Sequence, residues 1–211
     1  MALFRDHVTV GALVAAVGVV LLYFYAIVTD PLLLIILFAV SIIGSFLPDL
    51  DIDTGIPFYI IFGVFTICCG GIVLYYVLSN PPQSMYMLVG APIVALFGVW
   101  FIVGAIFKNF THHRGMMHSI PTMIITSLLV FLVAKYLEQG ETLSLVFALA
   151  AGVGFFSHLV LDELHAENVL DGNPFIPRRS LGTAFKLFSN SKAITLFTYL
   201  LLAVLAYSAL Q

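Results

Sequence analysis

Charge is scarce in this sequence. Only 8 Lys and Arg and 11 Asp and Glu occur among 211 residues, which makes 9% of the chain charged against 62% hydrophobic, with a mean hydropathy of +1.12. Soluble domains are about a quarter charged. One of this size could not solvate its surface with so few charges, so lipid must cover most of it. A net charge of −3, no basic tail and no low-complexity tract leave no signal for nucleic acid. Cysteine is nearly absent too. Cys68 and Cys69 are adjacent within an apolar run and lack a Cys-x-x-Cys partner, so they read as small apolar residues in a helix rather than a disulfide or a metal knuckle. No internal repeat is evident.

What the chain has is long apolar runs. A helix needs about 20 apolar residues to cross the hydrocarbon, and seven runs qualify as candidates: 8–28, 32–47, 58–78, 87–107, 120–137, 143–163 and 192–210, the second and fifth being short. Proline and glycine punctuate the breaks, as at Thr29-Asp30-Pro31 and Ser79-Asn80-Pro81-Pro82. The first run follows Arg5 but is longer than a signal core and has no small-x-small cleavage site, so it is read as a retained helix. The expectation is an all-α, polytopic bundle of about seven spans, forming a single membrane domain over 1–211.

Seven spans put the N-terminus on the same side as the breaks after spans two, four and six. That side holds Arg5, Lys108, Arg114, Arg178, Arg179, Lys186 and Lys192, and the other side only Lys135. By the positive-inside rule the N-terminus is expected in the cytoplasm and the C-terminus beyond the inner membrane. The same topology carries all six histidines (His7, His112, His113, His118, His158 and His165) to the cytoplasmic half, together with Asp49, Asp51, Asp53 and Asp162. The basic residues alone set the topology, so this convergence is independent of it.

His158-Leu-Val-Leu-Asp162 falls near the end of span six, where positions i and i+4 share a helix face about 6 Å apart. Both side chains can ligate one metal, or Asp162 can orient His158, or the pair can be an interhelical hydrogen bond. Ionisable groups in spans are costly and usually functional. His113-Arg114-Gly115-Met116-Met117-His118-Ser119 lies between spans four and five. Its histidines can curl about the glycine toward one centre, and Arg114 carries a planar fork suited to phosphate or carboxylate. A basic loop beside headgroups would explain Arg114 but not three histidines. Ser119 reads as a helix N-cap before Pro121.

Pro48-Asp49-Leu50-Asp51-Ile52-Asp53 closes span two with three mutually repelling carboxylates. It is not an EF-hand loop, because the required sixth-position glycine is Thr54 and the twelfth-position glutamate is Ile60. Ligands to a shared site and a solvated acidic turn are the two readings. His7 stands just before span one on the same face. The ligand set expected is therefore His7, Asp49, His113, His118, His158 and Asp162, with Asp53 and His112 in reserve and Asp51 or His165 as general acid or base. Six such donors suit one or two divalent ions, zinc first, with manganese or iron as alternatives. Such an ion supplies Lewis acidity and an activated water near neutral pH. Arg178 and Arg179 can meet anionic headgroups or an anionic substrate.

His7, Leu47-Pro-Asp-Leu-Asp51, His113-Arg-Gly-Met-Met-His-Ser119 and Ser157-His-Leu-Val-Leu-Asp162, in this order and over about three quarters of the chain, resemble the YdjM-like family of membrane-bound metal-dependent hydrolases. The pattern is also similar, more distantly, to the zinc-dependent phospholipase C and nuclease superfamily, which implies phosphoester hydrolysis. It departs from that superfamily in having six residues before His7 and a single His-x-x-x-Asp, so a third zinc is not expected. The resulting expectation is a metal-dependent hydrolase acting at the cytoplasmic interface on a phosphate ester of a membrane lipid. A metal-ion or proton transporter is the rival reading, and a metal that only staples helices is the third. Transport predicts polar residues continuing to the far side, where the spans are nearly all Val, Leu, Ile and Phe.

Overall fold

The computed structural model describes residues 3–51, 55–80, 84–105, 116–166 and 185–211, the side chains of Asp51 and Val103 excepted. The described residues form seven α-helices and no strand: α1 (Phe4–Phe24), α2 (Pro31–Phe46), α3 (Ile56–Ser79), α4 (Met85–Phe97), α5 (Ile120–Tyr136), α6 (Glu141–Ala166) and α7 (Lys192–Leu210). A 3-10 turn, Leu47–Asp51, extends α2, and a π-helical turn, Gly98–Val103, extends α4. Six helices, counting these extensions, are long and apolar enough to cross a membrane, whereas α5 is shorter at 17 residues. The expected polytopic bundle is thus what forms.

Local chemistry sets the helix starts. Asp30 accepts hydrogen bonds from the N–H groups of Leu32 and Leu33 at 2.7 and 3.2 Å, with Pro31 in the first turn where its missing N–H costs nothing. Ser119 caps α5 in the expected way, accepting from the Thr122 N–H while Pro121 occupies the first turn. Its hydroxyl donates to the Met116 carbonyl, so it is engaged as a cap and not poised as a nucleophile.

The chain packs as two compact units. Residues Asp49–His113 form one, in which α3 packs on α4 and its π-helical extension through Phe58, Phe62 and Trp100, and Gly70 lies against Leu96. The remainder, Met1–Pro48 with Arg114–Gln211, forms the other. Its centre is α6, which packs against α1, α2 and α5, while α7 packs on α5.

Backbone contact between α2 and α6 fixes their register. A side-chain carbon on Gly44 would collide with the Ala151 carbonyl, and one on Gly154 would collide with the Ser41 carbonyl. Lipid chains are as apolar as leucine, so helices in a bilayer gain little from hiding apolar surface, and close packing at small residues holds them together instead. Here α2 and α6 run parallel, and α1 lies antiparallel to α2, with Gly11 against Ser45. One end of the unit is closed by an apolar cluster of Val28, Leu37, Ala134, Val146 and Phe147. At the opposite end lie the first turn of α1, the start of α5 and the last turns of α2 and α6.

Gly154→Ala is expected to lower stability by about 1–3 kcal/mol, the usual cost of overpacking. Gly18→Ala, where an added carbon meets nothing within 4 Å, should be neutral. Thermal unfolding of the two variants in detergent measures the contrast.

Candidate metal centre

Four ionisable side chains converge at that end. His7 lies in the first two turns of α1 and is 1% exposed; His118 immediately precedes the Ser119 cap of α5 and is 2% exposed; His158, on α6, is fully buried. Asp162 follows His158 by one turn, with its side chain 9% exposed. The carboxylate is the hub. His7 Nε2 lies 3.4 Å from its Oδ1, and the Nε2 atoms of His118 and His158 lie 3.9 and 3.8 Å from its Oδ2.

These separations carry a chemical message. Hydrogen bonds between nitrogen and oxygen run about 2.7–3.2 Å, and all three contacts are longer. Ligands around a tetrahedral zinc, each about 2.0–2.1 Å from the ion, stand roughly 3.3 Å from one another. His7, His158 and Asp162 are spaced closely enough to be arranged about a common cation. His7, His158 and Asp162 each offer one donor atom, all within 4.8 Å of one another. His7 Nδ1 and Asp162 Oδ1 are buried without a hydrogen-bond partner, a costly arrangement that a bound ion or proton would relieve.

The rings constrain one another. Those of His7 and His158 stack at 3.7 Å between centroids, 15° from parallel, and His118 meets His158 edge-on at 5.2 Å. Imidazole binds metal in its neutral form, through the lone pair of one ring nitrogen. His158 Nδ1 donates a 2.8 Å hydrogen bond to the Ser45 carbonyl. A carbonyl only accepts, so Nδ1 carries a proton, and in the neutral ring the lone pair is then on Nε2, the nitrogen facing Asp162. Metal-binding histidines are held in this manner by a partner on their second nitrogen.

The remaining expected residues distribute as follows. Asp49 is buried on the 3-10 turn and is the first residue of the other unit. Asp51 ends that turn, and its side chain lies outside the described part. His112, His113, Arg114, Asp53, Arg178 and Arg179 also lie outside the described residues. His165 stands near the end of α6, half-buried, with Nδ1 donating to the Leu161 carbonyl at 3.0 Å. It does not share the close grouping of His7, His158 and Asp162. Sequence reasoning did not single out Ser45, which orients His158 through its backbone, or Gly11, which lets α1 approach Ser45. The small residues spaced along α1, α2 and α6 signal close helix packing, though not which backbone carbonyl that packing delivers to His158.

No curated protein and no solved structure matches the chain. The profile of the YdjM inner membrane protein family matches residues 1–211, its full length. That description names a membrane location and no activity, and the apolar helices agree with the location. The chain therefore belongs to the YdjM inner membrane protein family.

Proposed function

We propose that this protein is a membrane-embedded, metal-dependent hydrolase that cleaves a phosphate ester of a membrane lipid at the cytoplasmic face. One observation carries the reading: His7, His158 and Asp162, all nearly buried, each offer a donor atom within 4.8 Å of the others, with His118 at 3.9 Å from the same carboxylate. The donor set of imidazole and carboxylate without thiolate favours zinc, manganese or iron. A bound divalent ion would supply Lewis acidity toward a phosphoryl oxygen and an activated water at neutral pH.

The chain's own groups have separate tasks. His7, His118, His158 and Asp162 hold the ion, with the sequence adding Asp49 and His113 as candidates. His158 is kept in its ligating tautomer by Ser45. Asp51 or His165 moves the proton. In His165 the Nδ1 position is taken by the Leu161 carbonyl, which leaves Nε2 for exchange. Arg114, with Arg178 and Arg179, would hold the anionic group through planar, always-charged forks. The excess of basic residues on the side of the N-terminus supports the cytoplasmic orientation.

Transport is disfavoured by polarity. Among the described residues of this unit, every buried ionisable side chain lies at the site end. Toward the far end the buried polar group is Ser144, whose hydroxyl is closed onto the Gly140 carbonyl.

Purified protein should carry near-stoichiometric zinc or manganese, and the His158→Ala, Asp162→Ala double variant should lose it while eluting as the same species. A metal-free wild type that also fails to bind added ions would leave only a protonated His–Asp staple. In a panel of phospholipids and isoprenoid phosphates, release of phosphate or headgroup is expected. His165→Gln should lower kcat by about 10²–10⁴-fold with metal content unchanged, as for loss of a general acid or base. An inactive panel together with ion flux in proteoliposomes would favour transport instead.

Gly11 supplies a geometric test. A side-chain carbon there meets the Cβ and Oγ of Ser45, so Gly11→Ala should displace the carbonyl that orients His158. Metal affinity is expected to fall about 10–100-fold, the usual effect of losing an orienting partner. Adding Ser45→Gly removes the colliding atoms and keeps the carbonyl, so the double variant should recover affinity. Metal titration of the three proteins reads the outcome.

A further inference from the structure

His7 and His158 are carried by helices, α1 and α6, whose backbone hydrogen bonds fix where each imidazole stands. His118 lies outside any helix, in the turn of residues 116–119 just before α5. Its Nε2 nevertheless stands 3.9 Å from Asp162 Oδ2, and the residue is buried. Fixing the backbone of a residue outside regular structure costs conformational entropy, which local bonds must offset.

Such bonds tie the turn to the start of α5 on both sides of His118. After it, Ser119 caps the helix and accepts from the Thr122 N–H at 3.3 Å. Before it, the Met116 carbonyl accepts from two hydroxyls, that of Ser119 and that of Thr122, the latter at 2.6 Å. A carbonyl oxygen has two lone pairs and each hydroxyl one proton, so these two donors fill the Met116 acceptor. The two hydroxyl oxygens stand 3.1 Å apart around it. The bond from Thr122 reaches back six residues and closes a loop of chain that contains His118.

Helix capping does not account for that bond. Thr122 is the third residue of α5, where a glutamate or glutamine commonly reaches back to the N–H of the cap residue. The Thr122 hydroxyl instead goes to a carbonyl three residues before the cap. Ser119 alone supplies the cap, so the Thr122 side chain acts on the turn. We propose that Thr122 is a positioning residue for His118, its hydroxyl holding the turn so that the imidazole stays buried beside Asp162. That His118 serves a metal rests on the metal-dependent reading above, while the clamp stands on the hydrogen bonds.

The test uses the full-length protein in detergent, with diethyl pyrocarbonate as the probe of imidazole access and mass spectrometry to locate the modified residues. In the metal-free wild type, His7, His118 and His158 should all be protected. Thr122→Val keeps the branched shape and removes the hydroxyl, so His118 should become reactive while His7 and His158 stay protected. Titration with zinc alone should show affinity falling about tenfold, the lower end of the effect of losing a group that orients a ligand. Thr122→Ser keeps the hydroxyl and should restore both protection and affinity. The proposal is overturned if His118 stays protected in Thr122→Val, if all three histidines are released together, or if Thr122→Ser behaves like Thr122→Val. Zinc affinity unchanged while His118 is released would also overturn it, because His118 would then serve no metal. Selective release of His118 in a protein whose wild type binds no zinc would keep the clamp and remove the metal centre.

Discussion

Gly44 of α2 lies against the carbonyl of Ala151, and Gly154 of α6 lies against the carbonyl of Ser41. No side chain stands between the two backbones at these points. Once that contact is made, the register of α2 against α6 is fixed, and one turn further along both helices the Ser45 carbonyl meets His158 Nδ1 at 2.8 Å. Gly11 then brings α1 onto Ser45, and one turn back along α1 His7 stacks on His158. The order of dependence runs from small residues to backbone approach, and from there to the orientation of imidazoles. A membrane protein cannot rely on the hydrophobic effect to draw its helices together, so steric fit at glycine both holds the unit and aims its ionisable groups.

The cluster is expensive and nothing in the packing requires it. A chain with 9% charged residues places a carboxylate and three imidazoles in nearly complete burial at one end of a bundle. An aspartate at the centre of a span disfavours insertion by about 2.5–3.5 kcal/mol on insertion scales. Isosteric apolar residues would pack the same helices without that cost. The donor atoms of His7, His158 and Asp162 lie close enough together to hold a metal ion, and the proposed cation would offset that cost.

Much of this was legible in the sequence. Run length and the prolines at 31 and 121 marked the helices, because hydrophobic span and capping chemistry are local properties. The i, i+4 spacing of His158 and Asp162 was legible because a helix turns by a fixed angle, and charge asymmetry alone sent His7 and His118 to the same end as that pair. Two things were not legible. The π-helical turn at Gly98–Val103 interrupts a run that reads as continuous apolar helix, since hydropathy does not register a change of hydrogen-bond period. Ser45 was overlooked because its contribution is a backbone carbonyl, an atom every residue possesses. What makes it special is the nearness of Gly11, 34 residues upstream, and the contact between α2 and α6, neither of which residue type at position 45 can announce.

The same close packing explains why the buried ionisable cluster and an apolar hollow between α1 and α6 occur in one unit. Helices pressed together at small residues along one stretch must diverge elsewhere, because their side chains differ in size along the interface. At the site end α1 and α6 are near enough for the imidazoles of His7 and His158 to stack at 3.7 Å. Farther along, α1 presents Ala15 and Gly18, and the facing turns of α6 do not fill the space between them. A buried ionisable end and an open apolar flank thus follow from one pattern of residue sizes.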